Sequence, residues 1–184
     1  MSIKSRKDHR TRKQFREHIK NTTKKEAFLM RLFQREMKCR GNTVSFRSHG
    51  TDNKGEIQKK VTCDADYKVT IDGEECLLDI KNSPVRTKWT FKVHNLEYYV
   101  ETGAGMLVFW GTGNLNKDPS SLGTTIDTEN TRFGIITPEM IEEMLEAYDQ
   151  YEEYMFGGKV CIQVPAKDFT VWCKPEKLQC LYGE

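Results

Sequence analysis

The stretch from Asp66 to Lys81 constrains this 184-residue chain more than any other. Tyr67, Val69 and Ile71 alternate with polar residues, which is the pattern of a half-buried strand. Asp72-Gly73 is a strong two-residue turn, and Cys76-Leu77-Leu78 then leads into Asp79. The reading is two strands joined in a tight hairpin. Antiparallel pairing brings Asp66, near the start of the first strand, close to Asp79, near the end of the second. Lys81 lies two residues beyond Asp79, so strand alternation points both side chains to one face. Two carboxylates and an ammonium converging there are costly unless something binds. A hard divalent cation suits the place, because Mg²⁺ takes one or two carboxylates together with water and substrate phosphates. Mn²⁺ suits an all-oxygen site equally well.

Asp66, then Asp79-Ile80-Lys81 on the neighbouring strand, resembles the PD-(D/E)XK nuclease superfamily, whose pattern is an acidic residue, a variable spacer and (D/E)-x-K. Ala65 stands where the family name has proline. The flanking elements strengthen the resemblance. Upstream, Ala27, Phe28, Leu29, Leu32, Phe33 and Met37 recur at helical spacing behind Thr23-Lys-Lys-Glu26, and Arg40-Gly41 supplies the stop. Val44 to Arg47 reads as a strand. Downstream, Lys88 to Thr102 is expected to form a helix with Phe91, Leu96, Tyr99 and Val100 facing the core, and Met106 to Trp110 a buried strand. Helix, strand, hairpin, helix, buried strand is the order of the superfamily core. The resemblance therefore implies an α/β fold with a restriction-endonuclease-like core, a central mixed sheet flanked by helices.

It also implies roles. Asp66 and Asp79 would be metal ligands with the Ile80 carbonyl, and Lys81 would orient the attacking water. Glu26 matches a helix glutamate of the superfamily that binds metal directly or through water. Thr23 and Glu26 are also spaced as a capping box, which needs no catalysis, and both readings stay open. Asp64 shares the strand face of Asp66 and rivals it as first carboxylate, whereas Asp72 and Glu75 belong to the turn. Lys92 falls where superfamily members place a phosphate-contacting side chain, with His94 a weaker candidate. Arg86 and Lys88 add a basic stretch after the hairpin.

Charge is uneven along the chain. Residues 1–40 hold 14 Lys and Arg against four acids, and the remaining residues hold 15 against 23. Residues 1–21 are expected to form a flexible or conditionally helical arm, with Arg10, Arg12, Lys13 and Arg16 available to phosphates; residues 22–184 would form one nuclease domain. A merely solubilising tail is the plain alternative. Thr137-Pro138 opens a second clear helix, whose apolar stripe is expected to run from Met140 to Met155, opposite an entirely acidic face. Strands are expected at Lys159–Val164 and Phe169–Cys173, and Gly113 to Thr131 reads as a long loop.

No apolar run spans a membrane, the amino terminus is charged, and no GxxxxGK[ST] loop offers an ATP site. The six cysteines form no C-x-x-C pair, and Cys63 and Cys76 fall inside expected strands, so reduced thiols in a cytoplasmic protein are expected. A zinc site from Cys161, Cys173 and Cys180 has poor spacing. The combined expectation is a small Mg²⁺-dependent endonuclease cutting DNA, structure-selective or junction-resolvase-like, of phage or mobile-element style, acting in recombination as a homodimer. Two alternatives stay open: a catalytically silent nucleic-acid-binding protein of the same fold, and a nuclease acting on RNA.

Overall fold

The hairpin foreseen from Asp72-Gly73 forms the middle of the molecule. The computed structural model describes residues 5–6, 11–50, 62–83, 88–112 and 131–165. Asp72 and Gly73 both take positive φ, 51° and 94°, a turn that twists with the flanking strands and that glycine enters without a Cβ penalty. It joins β3 (Tyr67–Ile71) to β4 (Glu74–Ser83). β2 (Val44–Ser48) pairs antiparallel with β3, and β4 pairs parallel with β6 (Ala104–Trp110). β7 (Arg132–Ile136) closes the far edge antiparallel to β6, so the five-stranded sheet is mixed, in the order β2-β3-β4-β6-β7.

Each face of this sheet has its own core. On one face lies α1 (Arg12–Cys39), whose Leu29, Met30 and Phe33 meet Tyr67, Val69, Leu78, Ile80, Leu107 and Phe109. On the other lie α2 (Val93–Thr102), α3 (Pro138–Glu146) and a second sheet. That sheet runs β1-β8-β9-β5, from β1 (Ser5–Arg6), β8 (Glu152–Phe156), β9 (Lys159–Pro165) and β5 (Lys88–Lys92). Its Trp89, Phe91, Ile162 and Val164 pack with Leu96, Tyr99, Met106 and Val108. The chain is thus an α/β protein with three α-helices among the described residues. None of those helices is long and apolar enough to cross a membrane.

Four boundaries differ from the sequence reading. α1 starts at Arg12, not near Thr23, because Thr11 and Gln14 form a reciprocal capping box, with Gln14 N donating to Thr11 Oγ1 at 3.2 Å and Thr11 N to Gln14 Oε1 at 2.8 Å. Residues 12–21 of the expected arm are therefore helical, and Thr23 and Glu26 sit mid-helix, where no cap exists. Lys88 to Lys92 is a strand, not the first turn of a helix; the buried Trp89 and Phe91 alternate with exposed neighbours, a period of two. α3 ends at Glu146, so Glu152, Glu153 and Met155 lie in β8 and not on the helix. Cys63 precedes β3 rather than lying inside a strand. The expected strand at Phe169–Cys173 and most of the expected loop at Gly113–Thr131 fall outside the described residues.

Candidate active site

β3 begins two residues too late to pair with β4 as far as Ile80, and that shortfall builds the site. Tyr67 pairs with Leu78, leaving Asp66 and Asp79 as the next positions on the two strands. The Ile80 amide, two residues past Leu78, faces the same edge as the Leu78 amide and has no β3 residue opposite it. The Asp66 carboxylate takes its place: Ile80 N donates to Asp66 Oδ2 at 2.8 Å. A strand residue turns its N–H and C=O to the same edge, so the Ile80 carbonyl also opens toward Asp66. On the opposite side the ladder continues, with His49 N donating to Asp66 O at 2.9 Å.

Asp79 is buried at 5 % exposure and receives the half-buried Lys81 ammonium on Oδ2. The same ammonium lies 5.8 Å from the centre of the Tyr99 ring. Burial and the neighbouring Asp79 charge push Asp66 up to about 7, against the opposing pull of Lys81 and the Ile80 hydrogen bond. Burial would lower Lys81, but the charges of Asp79, Tyr99 and Asp66 outweigh it and hold the ammonium firmly protonated. Burial also raises the Tyr99 phenol, helped by the charge and hydrogen bond of Asp79. Asn95 Nδ2 donates to the Tyr99 hydroxyl at 3.5 Å from one turn earlier on α2. Sequence reasoning placed Tyr99 only in the core and passed over Asn95; their i, i+4 spacing is visible in the chain, but nothing local says that this helix face meets Asp79.

Beside Lys81 opens a cavity of about 110 Å³ lined by Thr90, Phe91, Lys92, Asn95, Leu96 and Tyr99. Lys92 is the last residue of β5 and caps α2, so it reaches the cavity from a strand end and not from within a helix, as expected. Lys88, Thr90 and Lys92 share the exposed side of β5, and Lys88 Nζ contacts Gln163 Oε1. His94 faces Lys159 instead, 3.0 Å from His94 Nε2 to Lys159 Nζ, and burial followed by the Lys159 charge lowers its pKa.

Glu26 is placed apart from the pair. It lies on α1, on the face of the sheet opposite Asp79 and Lys81, where its charge acts on the Tyr67 hydroxyl. Burial, Glu26 and then Asp66 push Tyr67 up to about 12, against the opposing pull of Arg31. Among the described residues no three His, Cys, Asp or Glu side chains are grouped to hold a metal, so Glu26, Asp66 and Asp79 do not form a ready-made cluster. Asp64 accepts the Tyr98 hydroxyl at 2.8 Å, and hydrogen bonds from Thr62 and Tyr98 lower its pKa; it turns away from the pair and is no rival to Asp66. Asp72 ties the turn to Asn42 and Thr43, and Glu75 pairs with Lys68. Arg12, Lys13 and Arg16 are exposed on the first turns of α1, whereas Arg10 and Arg86 fall outside the described residues. Cys161 is buried in β9, and Cys173 and Cys180 lie outside the described residues.

One buried group was not foreseen at all. Lys25, 1 % exposed on α1, donates to Thr112 Oγ1 at 2.8 Å, and burial lowers it to about 8 despite the charge of Glu26.

The donor chemistry fits a hard dication. Two neighbouring carboxylates and a carbonyl at one strand end are all oxygen, and a cation would offset both the burial and the Asp79 charge that raise Asp66. No protein-family model matches the sequence, and no curated protein matches it significantly.

Proposed function

We propose that this chain is a metal-dependent nuclease of the PD-(D/E)XK type that hydrolyses phosphodiester bonds in DNA. The observation that carries the reading is the convergence of Asp66, Asp79 and Lys81 where β4 runs on past the start of β3. The order α1, β2-β3-β4, α2, β6 around a mixed sheet supports a restriction-endonuclease-like core.

Asp66, Asp79 and the Ile80 carbonyl would hold Mg²⁺ or Mn²⁺, which when bound lowers the pKa of a coordinated water and offsets charge on the phosphate. Lys81 does the rest of the local work. Its ammonium is held charged, so it cannot act as a base; it orients the attacking water and faces the negative charge that develops on the phosphate oxygens. Asp79 anchors Lys81, and Tyr99 holds Asp79 from the other side. Glu26 comes from α1, on the other face of the sheet, and its charge acts on Tyr67, so we give it a supporting role rather than a seat among the ligands. Arg12, Lys13, Arg16, Lys88 and Lys92 present exposed cations to the backbone, and Arg10 and Arg86 extend that basic set in sequence.

Within this reading the enzyme is structure-selective or junction-cutting, working as a homodimer when both strands are cut and without ATP. Cleavage of labelled duplex, single-stranded, flapped and four-way-junction DNA, and of RNA, with Mg²⁺ or Mn²⁺ tests it. Wild type should cut at least one DNA only with metal, and Asp79→Ala should lose at least a thousandfold of that activity. Binding by both proteins without cleavage by either would transfer the assignment to a silent nucleic-acid-binding protein, and cutting confined to RNA would change the substrate.

A further inference from the structure

β8 is flanked by β9 on one side and by the amino-terminal β1 on the other; without β1 it would be the edge of the second sheet. The β1 pairing is parallel and only two residues long, Ser5 opposite Met155 and Arg6 opposite Phe156. Exposed edges are ordinarily blunted by charged side chains, lysine above all, or by proline. β8 has no lysine or proline, and its only charges are the two glutamates at its start, reading Glu152-Glu-Tyr-Met-Phe156. Between Arg132 and Lys159 the chain carries seven acids and no Lys, Arg or His, whereas residues 1–10 carry Lys4, Arg6, Lys7 and Arg10 against Asp8 alone. The parallel direction aims β1 toward the Gly157-Gly158 turn, beside a cleft of about 790 Å³ that has Glu97, Glu146 and Asp149 on its wall, with His94 and Lys159 also lining it. A strand edge in an acidic stretch of the chain therefore carries a basic segment of the same chain, through a short ladder whose charge component weakens with salt.

We propose that the outer edge of β8 is a docking seat for the chain's own basic arm, and that nucleic acid competes with that seat, drawing the arm onto phosphate when substrate binds. The first half stands on the strand pairing and charge pattern; the second rests on the nucleic-acid reading above. Two residues of ladder make the seat weak enough to yield, and the arm's four cations are what a phosphate backbone takes up.

Hydrogen exchange over residues 152–158 tests both halves, with chelator present so that nothing is cut. Wild type is compared with a chain lacking residues 1–10, which keeps the Thr11 cap, and with full-length Lys4→Gln/Arg6→Gln/Lys7→Gln/Arg10→Gln. Exchange should be at least about tenfold slower in wild type than in either variant. A saturating 20-mer duplex should raise wild-type exchange to the variants' level. Equal exchange in wild type and the deleted chain overturns the docking seat. Protection that persists while the duplex is bound overturns the competition. If the duplex does not bind, the transfer falls together with the nucleic-acid reading, while slower exchange in wild type still upholds the seat.

Discussion

Asp66 and Lys25 are the two buried ionisable groups whose environments push in directions that stability can report. Asp66 keeps its proton to about 7 in the folded chain, well above the ordinary carboxylate value. Between about pH 4 and 7 the folded state then binds more protons than the unfolded state, so stability falls as pH rises through that window. Lys25 works in the opposite sense. It releases its proton near 8 when folded and near the ordinary lysine value when unfolded, so stability rises from about pH 8 toward 10.5. Each change is on the order of 3–4 kcal/mol. In chelator, melting temperature should therefore pass through a minimum near pH 7–8. Asp66→Asn should flatten the acid limb alone and Lys25→Met the alkaline limb alone. At pH 8, Mg²⁺ should raise the melting temperature of wild type and leave Asp66→Asn and Asp79→Asn unmoved. A flat profile, or a metal effect that survives both substitutions, would remove the crowding of Asp66 from the account of the site.

At the level of elements, legibility followed locality. The β3–β4 hairpin was readable because its alternation and its Asp72-Gly73 turn lie within a few residues, and the turn fixes the register that places Asp66 near Asp79. β5 was misread because Lys-Trp-Thr-Phe-Lys becomes a strand through pairing with β9, more than sixty residues away, while the true helix begins at once in Val93. α3 was overextended because Tyr148 and Met155 happen to continue its apolar spacing; the Gly157-Gly158 turn of the β8–β9 hairpin was the signal against it. Glu26 was aligned with the site in sequence, yet α1 packs on the opposite face of the sheet, which no local pattern encodes. The interior strand β6 offers a sharp check on this packing. A Cβ on Gly105 would stand 2.6 Å from the Ile136 carbonyl oxygen and 3.2 Å from Leu78 Cδ2, and the first of these is backbone of the paired β7. Gly105→Ala should cost about 1–3 kcal/mol in urea unfolding. Gly73→Ala, where only positive φ is at stake and nothing lies within 4 Å, should cost about 1 kcal/mol. Equal losses would mean that β6 and β7 are not held as closely as the ladder requires.

Over the whole molecule, charge separates in space as it does in sequence. α1 is about 42 Å long. Its buried residues begin only at Lys25, so Arg12, Lys13, Arg16, Lys20 and Lys24 project from the amino-terminal half. Lys88 and Lys92 stand on the outer side of β5, next to the cavity at Lys81, while α3 presents Glu139, Glu142, Glu143 and Glu146 without a cation. A polyanion approaching this molecule meets two kinds of surface, and salt dependence tells them apart. Each phosphate neutralised by a cation contributes close to one unit to the slope of log affinity against log salt. Under the nuclease reading, Lys88→Gln/Lys92→Gln should lower that slope by about 1–2 and weaken duplex binding at low salt. Glu142→Gln/Glu143→Gln should leave the slope unchanged and shift affinity by less than about threefold, through long-range field alone. Fluorescence anisotropy between low and moderate salt, in chelator, measures all three proteins. Should the α3 pair change the slope and the β5 pair leave it alone, the substrate path would have to be redrawn across α3, away from Asp66 and Asp79, and the active-site assignment would fall with it.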